Sequence, residues 1–483
     1  MTRKNIDMVN SKGIVIAGLA GGSGKSVVSV GLAALWRQSG KIVAPFKKGP
    51  DYIDAGWLQC AAARNCYNLD PYLVSEELIT TSFLQRSRGA DISLVEGNRG
   101  LYDGVTPHGG YSTAELSIML QLPVVLVVNC SKTTRTVAAL VLGCMTLDER
   151  VTIAGVILNN VATERQRRII SEAVEYYCTI PVVGSVPRMK KDIFPMRHLG
   201  MVPHQEYQGS DAAVSFLAQI MQEHIDIQRV EGLMGEVRDL DVRSSVNLLE
   251  KPEERSVRIG ILQDAAFQFY YSENLEALER CGAELVAVNA IRDTTLAEID
   301  GLYIGGGFPE TSARELAANE PFRRSVREAA EQGLPIYAEC GGLIYLGTSI
   351  LIDAVEYPLV NVFPVRYGMS NKPQAHGYSV FNVERKNPFY PVGSTIKGHE
   401  FRYSKIIEWQ GTSTDLVFAM TRGTGFMDGR DGLTYKNVLA LYTHVHAEGT
   451  PLWAAALIEK CRNYRCSSGK ELNVPKPGLS PSP

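Results

Sequence analysis

Two parts of this sequence gather residue types that do chemistry at close spacing. Near the N-terminus, Gly18-Leu19-Ala20-Gly21-Gly22-Ser23-Gly24-Lys25-Ser26 combines four glycines with a lysine and two hydroxyls. Such a stretch cradles phosphate: backbone N–H groups left open by Gly21, Gly22 and Gly24 face the anion, Lys25 adds charge toward the terminal phosphates, and Ser26 is placed to hold Mg2+. Far downstream, Glu339-Cys340-Gly341-Gly342 and Thr443-His444-Val445-His446 supply a thiol and two imidazoles. A thiolate attacks acyl carbon, and a histidine takes the thiol proton and returns it to the leaving group.

These residues need elements to place them. Ile14 to Ala17 is apolar and Val27 to Gln38 has helical spacing, so the glycine stretch lies in a strand, a turn and a helix. A second strand, Lys41 to Phe46, ends in Lys47-Lys48-Gly49-Pro50-Asp51-Tyr52-Ile53-Asp54, and a third, Ile92 to Val95, runs into Glu96. Open α/β sheets bind ligands at the C-terminal ends of their strands. Lys47, Asp51 and Tyr52 are therefore candidates for phosphate and substrate, and Ser26, Asp51 and Glu96 for Mg2+. Val124 to Asn129 and Val151 to Leu158 are continuous apolar strands, and the alternation with helices predicts a doubly wound parallel sheet. Asn159 follows the last of these, where its amide suits the edge of an adenine or a turn.

Residues 205–256 change character; Arg229 to Arg255 is charged and aperiodic, and the whole segment reads as a linker. A second α/β domain then opens with the strand Val257 to Leu262. Leu302 to Ile304 leads into Gly305-Gly306-Gly307, and Leu334 to Ala338 leads into Cys340. A cysteine on a sharp strand-to-helix turn projects its sulfur from the sheet edge. The other eight cysteines read as inert. The expected boundaries are 13–204 for a nucleotide domain, 257–460 for the thiol domain and 461–483 for a disordered tail.

Composition narrows the classes. A hydrophobic content of 45%, a charged content of 21% and a net charge of -3 over 483 residues describe an ordinary globular enzyme without a basic face. Neither nucleic acid nor a membrane is expected as a partner. Nine scattered cysteines without CxxC pairs point to reduced thiols in the cytoplasm.

The long spacing between Gly18 and Gly24 resembles the phosphate loop of dethiobiotin-synthetase-like enzymes, and Pro335 to Leu346 with Tyr442 to His446 resembles a triad-type (class I) glutamine amidotransferase. With Lys47 to Asp54, Glu96 to Gly104 and Gly305 to Glu310 in this order, the chain resembles the cobyrinate a,c-diamide synthase family. That resemblance implies an ATP-binding P-loop domain joined to an amidotransferase, acting on a cobyrinate-like tetrapyrrole with L-glutamine, ATP and Mg2+, and it allows a homodimer. Cys340 and His444 are then the catalytic pair, and Gly306 and Gly341 belong to the oxyanion turn. In two places the chain departs from the pattern. Ala338 stands where the amidotransferase turn has glycine, and His446 stands where the glutamate that orients the histidine is usual. Hydrogenobyrinate and nickel-sirohydrochlorin diamide synthases would share these motifs. A ParA-like nucleotide switch with a degenerate amidotransferase is the reading from another class.

Overall fold

Ile14 to Ala17, Leu94 to Val95 and Val124 to Val128 are apolar and essentially inaccessible, as strands covered on both faces must be. The computed structural model describes residues 11–189, 196–197, 200–207, 209–238, 247–250 and 254–469. The chain divides into two compact units, residues 1–249 and 250–483.

In the first unit β1 (Lys12–Gly18), β2 (Val43–Lys48), β3 (Tyr67–Leu69), β4 (Ile92–Glu96), β5 (Val124–Asn129), β6 (Ile153–Val161) and β7 (Val182–Pro187) form a sheet of order β3-β2-β4-β1-β5-β6-β7. Every neighbouring pair in that order is parallel, as the alternating pattern predicts. Between the strands run α1 (Lys25–Gln38), α2 (Ile53–Ala62), α3 (Glu76–Ser87), α4 (Thr113–Met119), α5 (Thr136–Leu147) and α6 (Glu164–Cys178). β1 lies at the centre, so the glycine loop, the end of β2 and the end of β4 emerge along one sheet edge.

The segment read as a linker is structured over much of its length. α7 (Ser210–His224) buries Val214, Leu217, Ala218 and Met221 against the core that contains α1. The approach is close because Gly31 of α1 has no side chain: a Cβ there would lie 2.5 Å from Met221 Cγ. α8 (Ile227–Leu233) follows, N-capped by Asp226, and Gly235–Glu236 pairs antiparallel with β1. The helical period of residues 214–221 was the signal, masked by the charged residues after it. Residues 239–246 and 251–253 lie outside the described residues.

The second unit has a six-stranded sheet of order Ala283–Val288, Val257–Leu262, Gly301–Ile304, Ile336–Glu339, Val438–Leu441, Leu433–Tyr435. The first five strands are parallel and the last is antiparallel. An antiparallel sheet lies beside it in sequence, in which Ala375–Val383 pairs with Thr395–Arg402, and that strand pairs with the two-residue strand His444–Val445. The chain thus leaves the parallel sheet at Leu441 and joins the antiparallel one three residues later. The last helix, Leu452–Ser467, buries Trp453, Leu457, Ile458 and Cys461, so the tail expected from residue 461 is helical to Ser467. Residues 470–483 lie outside the described residues.

Candidate active site

The glycine loop is held in shape by its own atoms. Ala20 N donates to Ser23 Oγ at 3.1 Å, and Ser23 Oγ donates to Ala20 O at 2.9 Å. Gly24 precedes α1 with φ 96° and makes no side-chain cap, which leaves the first-turn amides of the helix free of a capping side chain. Glycine is required here, since a Cβ would fall 2.0 Å from Asn159 Nδ2. At Gly21 and Gly22 a Cβ would meet nothing, so these two line open space.

Asn159, whose amide suits the edge of an adenine or a turn, is buried and donates from Nδ2 to Ser23 O at 2.9 Å. It braces the loop from behind.

The ends of β2 and β4 build the charged part. Lys47 and Glu96 are in register on adjacent strands and both are inaccessible. Lys47 Nζ donates to Glu96 Oε1 and to Asp54 Oδ2, each at 2.8 Å, and to Gly97 O at 3.1 Å. Ser26 Oγ donates to the same Glu96 Oε1 at 2.8 Å. Burial works against charge on Lys47, yet Asp54 and Glu96 outweigh it and keep the ammonium protonated. Burial raises the Glu96 carboxyl to about 7 against the pull of Lys47. Lys25 Nζ ties the loop to the segment after β4, donating to Arg99 O at 2.7 Å and Ala20 O at 3.2 Å; burial and Lys47 lower its pKa.

The acid that joins this cluster is Asp54, where the sequence pointed to Asp51. Asp51 Oδ1 accepts from Asp54 N at 2.9 Å at the start of α2 and so fixes Asp54. Helical geometry explains the exchange: three residues on from Asp51, α2 has begun and turns Asp54 toward the sheet edge. Tyr52 is half-buried at the start of that helix.

The residues fit Mg2+. Glu96 Oε2 is buried and has no hydrogen-bond partner, and Ser26 and Asp54 add hard oxygen donors beside it. Among the described residues no three or more His, Cys, Asp or Glu are grouped to hold a metal by themselves. Mg2+ that accompanies a nucleotide needs only one or two carboxylates, the rest of its shell being phosphate and water.

In the second unit Cys340 sits between the strand Ile336–Glu339 and the single-turn helix Gly341–Tyr345, with φ 47°. Ala338, the departure from glycine, is accommodated because the left-handed residue is Cys340 itself. Its backbone is pinned by Cys340 N donating to Leu441 O at 2.8 Å, and its sulfur lies 3.9 Å from Phe401 O. His444 hydrogen-bonds the Cys340 side chain, so the predicted pair meets. Burial disfavours charge on this imidazole, but the hydrogen bonds with Cys340 and Glu339 outweigh it and raise the pKa to about 10. His399 stacks on the ring at 4.9 Å, its own pKa depressed by burial and by His444.

Gly306 and Gly341 come together around this pair. A Cβ on Gly306 would fall 2.4 Å from His444 Cε1, and one on Gly341 would lie 3.0 Å from Gly307 N. His446 is inaccessible and turned elsewhere, its Nε2 3.7 Å from Glu273 Oε1. The carboxylate beside His444 is Glu339, to which the sequence alone assigned no role: Oε2 lies 3.3 Å from His444 Nδ1.

Comparisons agree with both halves. Residues 14–199 match the CobQ/CobB/MinD/ParA nucleotide binding domain, and residues 258–452 match the CobB/CobQ-like glutamine amidotransferase domain. The cobyrinate a,c-diamide synthase of Magnetococcus marinus is 40% identical over 439 residues, covering 90% of this chain and 94% of that protein. The one from Archaeoglobus fulgidus is 40% identical over 438 residues, with the same coverage. That of Dehalococcoides mccartyi is 38% identical over 463 residues, covering 94% of this chain and 99% of the relative. With a phosphate loop and a cysteine–histidine pair in one chain, and this likeness along nearly its whole length, the chain belongs to the cobyrinate a,c-diamide synthase family of glutamine-dependent ligases.

Proposed function

We propose that this chain converts the a- and c-acetate carboxylates of cobyrinate to amides, in the order c then a, using ATP and L-glutamine. The observation that carries the reading is the presence in one chain of two complete assemblies, Lys25–Ser26–Lys47–Glu96 on a phosphate loop and Cys340–His444 on a strand-to-helix turn. Family membership supplies the substrate class.

A carboxylate does not react with ammonia at neutral pH, because oxide is a poor leaving group. The first unit removes that obstacle. An acetate oxygen attacks the γ-phosphorus of ATP, the bond to the β-phosphate oxygen breaks, and ADP leaves an acyl phosphate. Lys25 and Lys47 neutralise charge on the transferring group. Ser26, Asp54 and Glu96 would hold Mg2+, which supplies further charge neutralisation at the phosphates. Asp51 holds Asp54 in place.

The second unit supplies nitrogen. With the thiol proton held on His444, the Cys340 sulfur attacks the side-chain carbonyl carbon of glutamine. The C–N bond breaks, the histidine proton leaves with ammonia, and water hydrolyses the thioester to glutamate. Backbone N–H groups around Gly306 and Gly341 receive the transient oxyanion. Ammonia then displaces phosphate from the acyl phosphate. A reduced Cys340 fits a cytoplasmic enzyme, and all nine cysteines are free thiols.

The test is a panel of cobalt, nickel and metal-free acetate-bearing tetrapyrroles incubated with ATP, Mg2+ and glutamine, with amides counted by mass. Two amides on the cobalt macrocycle are expected. Preference for the nickel or metal-free macrocycle would reassign the substrate, and no amidation of any macrocycle would overturn the reading.

A further inference from the structure

His446 holds the position where an orienting acid was expected, and it faces Glu273 and packs on Tyr271 at 4.6 Å between ring centroids. The His444 ring nevertheless has a carboxylate partner, from a different place in the chain. Glu339 is the last residue of the strand Ile336–Glu339, immediately before the nucleophile, and is fully inaccessible.

Both of its oxygens are used on the histidine segment. Oε2 lies 3.3 Å from His444 Nδ1 and accepts from Tyr303 OH at 3.4 Å. Oε1 accepts from Val445 N at 3.2 Å. A second clamp, Asn274, holds the same backbone: Nδ2 donates to Val445 O at 2.8 Å and to Tyr303 OH at 3.3 Å, and Oδ1 accepts from Ala447 N at 2.7 Å. Ring and backbone of the histidine segment are thus fixed from one side. Among the described residues, the one ionic partner of Glu339 is His444. A carboxylate buried without a cation is costly, so this one favours the imidazolium over the neutral ring.

We propose that Glu339 is the positioning acid of the glutamine site. It accepts the His444 Nδ1–H, which leaves Nε2 to face the Cys340 sulfur, and it stabilises the imidazolium that carries the thiol proton on Nε2. That proton departs with ammonia when the C–N bond of glutamine breaks, and Glu339 itself takes none. The acid therefore reaches the histidine from the strand that carries the nucleophile. The assignment rests on the glutamine-hydrolysing part of the proposed function and not on the identity of the amidated substrate.

The other groups around the ring do not replace it. His399, stacked on His444, is kept neutral by burial and by its neighbouring imidazoles, and Tyr271 OH lies 3.1 Å from His399 Nδ1. Glu273 faces His446. Tyr303 has its hydroxyl proton held by burial and Glu339.

The test uses the full chain with Glu339→Gln, which keeps shape and removes charge. Glutamine hydrolysis is expected to lose about a hundredfold in kcat, with the KM for glutamine within about twofold. The alkaline limb of its pH profile moves to lower pH, because the imidazolium has lost its counter-charge. Glu339→Asp recovers part of the rate. Synthesis driven by ammonium chloride stays at the wild-type value, which separates a loss at the glutamine site from general unfolding. A Glu339→Gln chain with the wild-type kcat and pH profile overturns the assignment. If that variant does not fold, the wild-type chain decides: with 15N-labelled histidine, Nδ1 of His444 is expected to carry a proton at neutral pH, and an unprotonated Nδ1 overturns the proposal. Wild-type protein that hydrolyses glutamine but amidates no tetrapyrrole would sink the proposed substrate and leave Glu339 to be judged on hydrolysis alone.

Discussion

Lys47 and Glu96 face each other from adjacent parallel strands, Nζ to Oε1 2.8 Å, with Ser26 Oγ on the same carboxylate oxygen. The lysine charge, the hydroxyl at the start of α1 and the acid that ends β4 thus form one buried unit. Its free oxygen, Glu96 Oε2, is the atom with hydrogen-bonding capacity to spare.

Glu96→Gln is therefore expected to abolish synthesis with glutamine and with ammonium alike, by about a hundredfold or more in ADP release. Hydrolysis of glutamine at Cys340 continues. Unaltered ADP release would remove Glu96 from the phosphoryl-transfer site.

Lys47→Met leaves two buried carboxylates without their cation, and breaking a buried pair from one side costs about 3–5 kcal/mol. Urea unfolding should show an early transition of the first unit. Adding Glu96→Gln to this variant should cost less than the two single changes summed, since they share one interaction. Strict additivity would show that the pair is not coupled.

Gly24→Ala places a methyl into Asn159 at a residue with φ 96°. ATP binding measured by calorimetry should be lost, while Asn159→Ala, which only releases Ser23 O, should weaken it. Wild-type affinity in Gly24→Ala would mean that the loop remodels freely.

Gly306→Ala drives a Cβ into the His444 ring, 2.4 Å from Cε1. Glutamine use should fall as severely as in Cys340→Ala, and both variants should still turn over with ammonium chloride. A Gly306→Ala enzyme that uses glutamine normally would show that the ring has room to move, and retention of glutamine use by Cys340→Ala would refute its role as nucleophile.

His444 also links folding to pH. Its pKa rises from 6.5 to about 10 in the folded chain, so its contribution to stability is complete below 6.5 and disappears as pH climbs through 10. The melting-temperature difference between the wild type and His444→Gln should shrink across that window. A difference independent of pH would mean that the imidazole is not charged in the native state.

Much of this arrangement is legible before any coordinates. The loop from Gly18 to Ser26 announces itself because a strand, glycines, Lys-Ser and a helix occur in immediate succession, and the Cys340 turn does so for the same reason. Local motifs carry local geometry. What escapes is the partner supplied by a fold in three dimensions. Asp51 and Asp54 are both plausible from spacing, and only the start of α2 decides between them. Glu339 was invisible as a ligand of His444 because the two are 105 residues apart and a neighbouring acid at Cys340 resembles any strand-end carboxylate. α7 was hidden by the charged run that follows its apolar stripe.

Cys340 directly follows a strand of the parallel sheet, whereas His444 pairs with His399 in the antiparallel one. Sulfur and imidazole are thus mounted on separate sheets, so the working distance between them is set by how one sheet is joined to the other, which makes the short link from Leu441 to His444 as much a part of the catalyst as the two side chains.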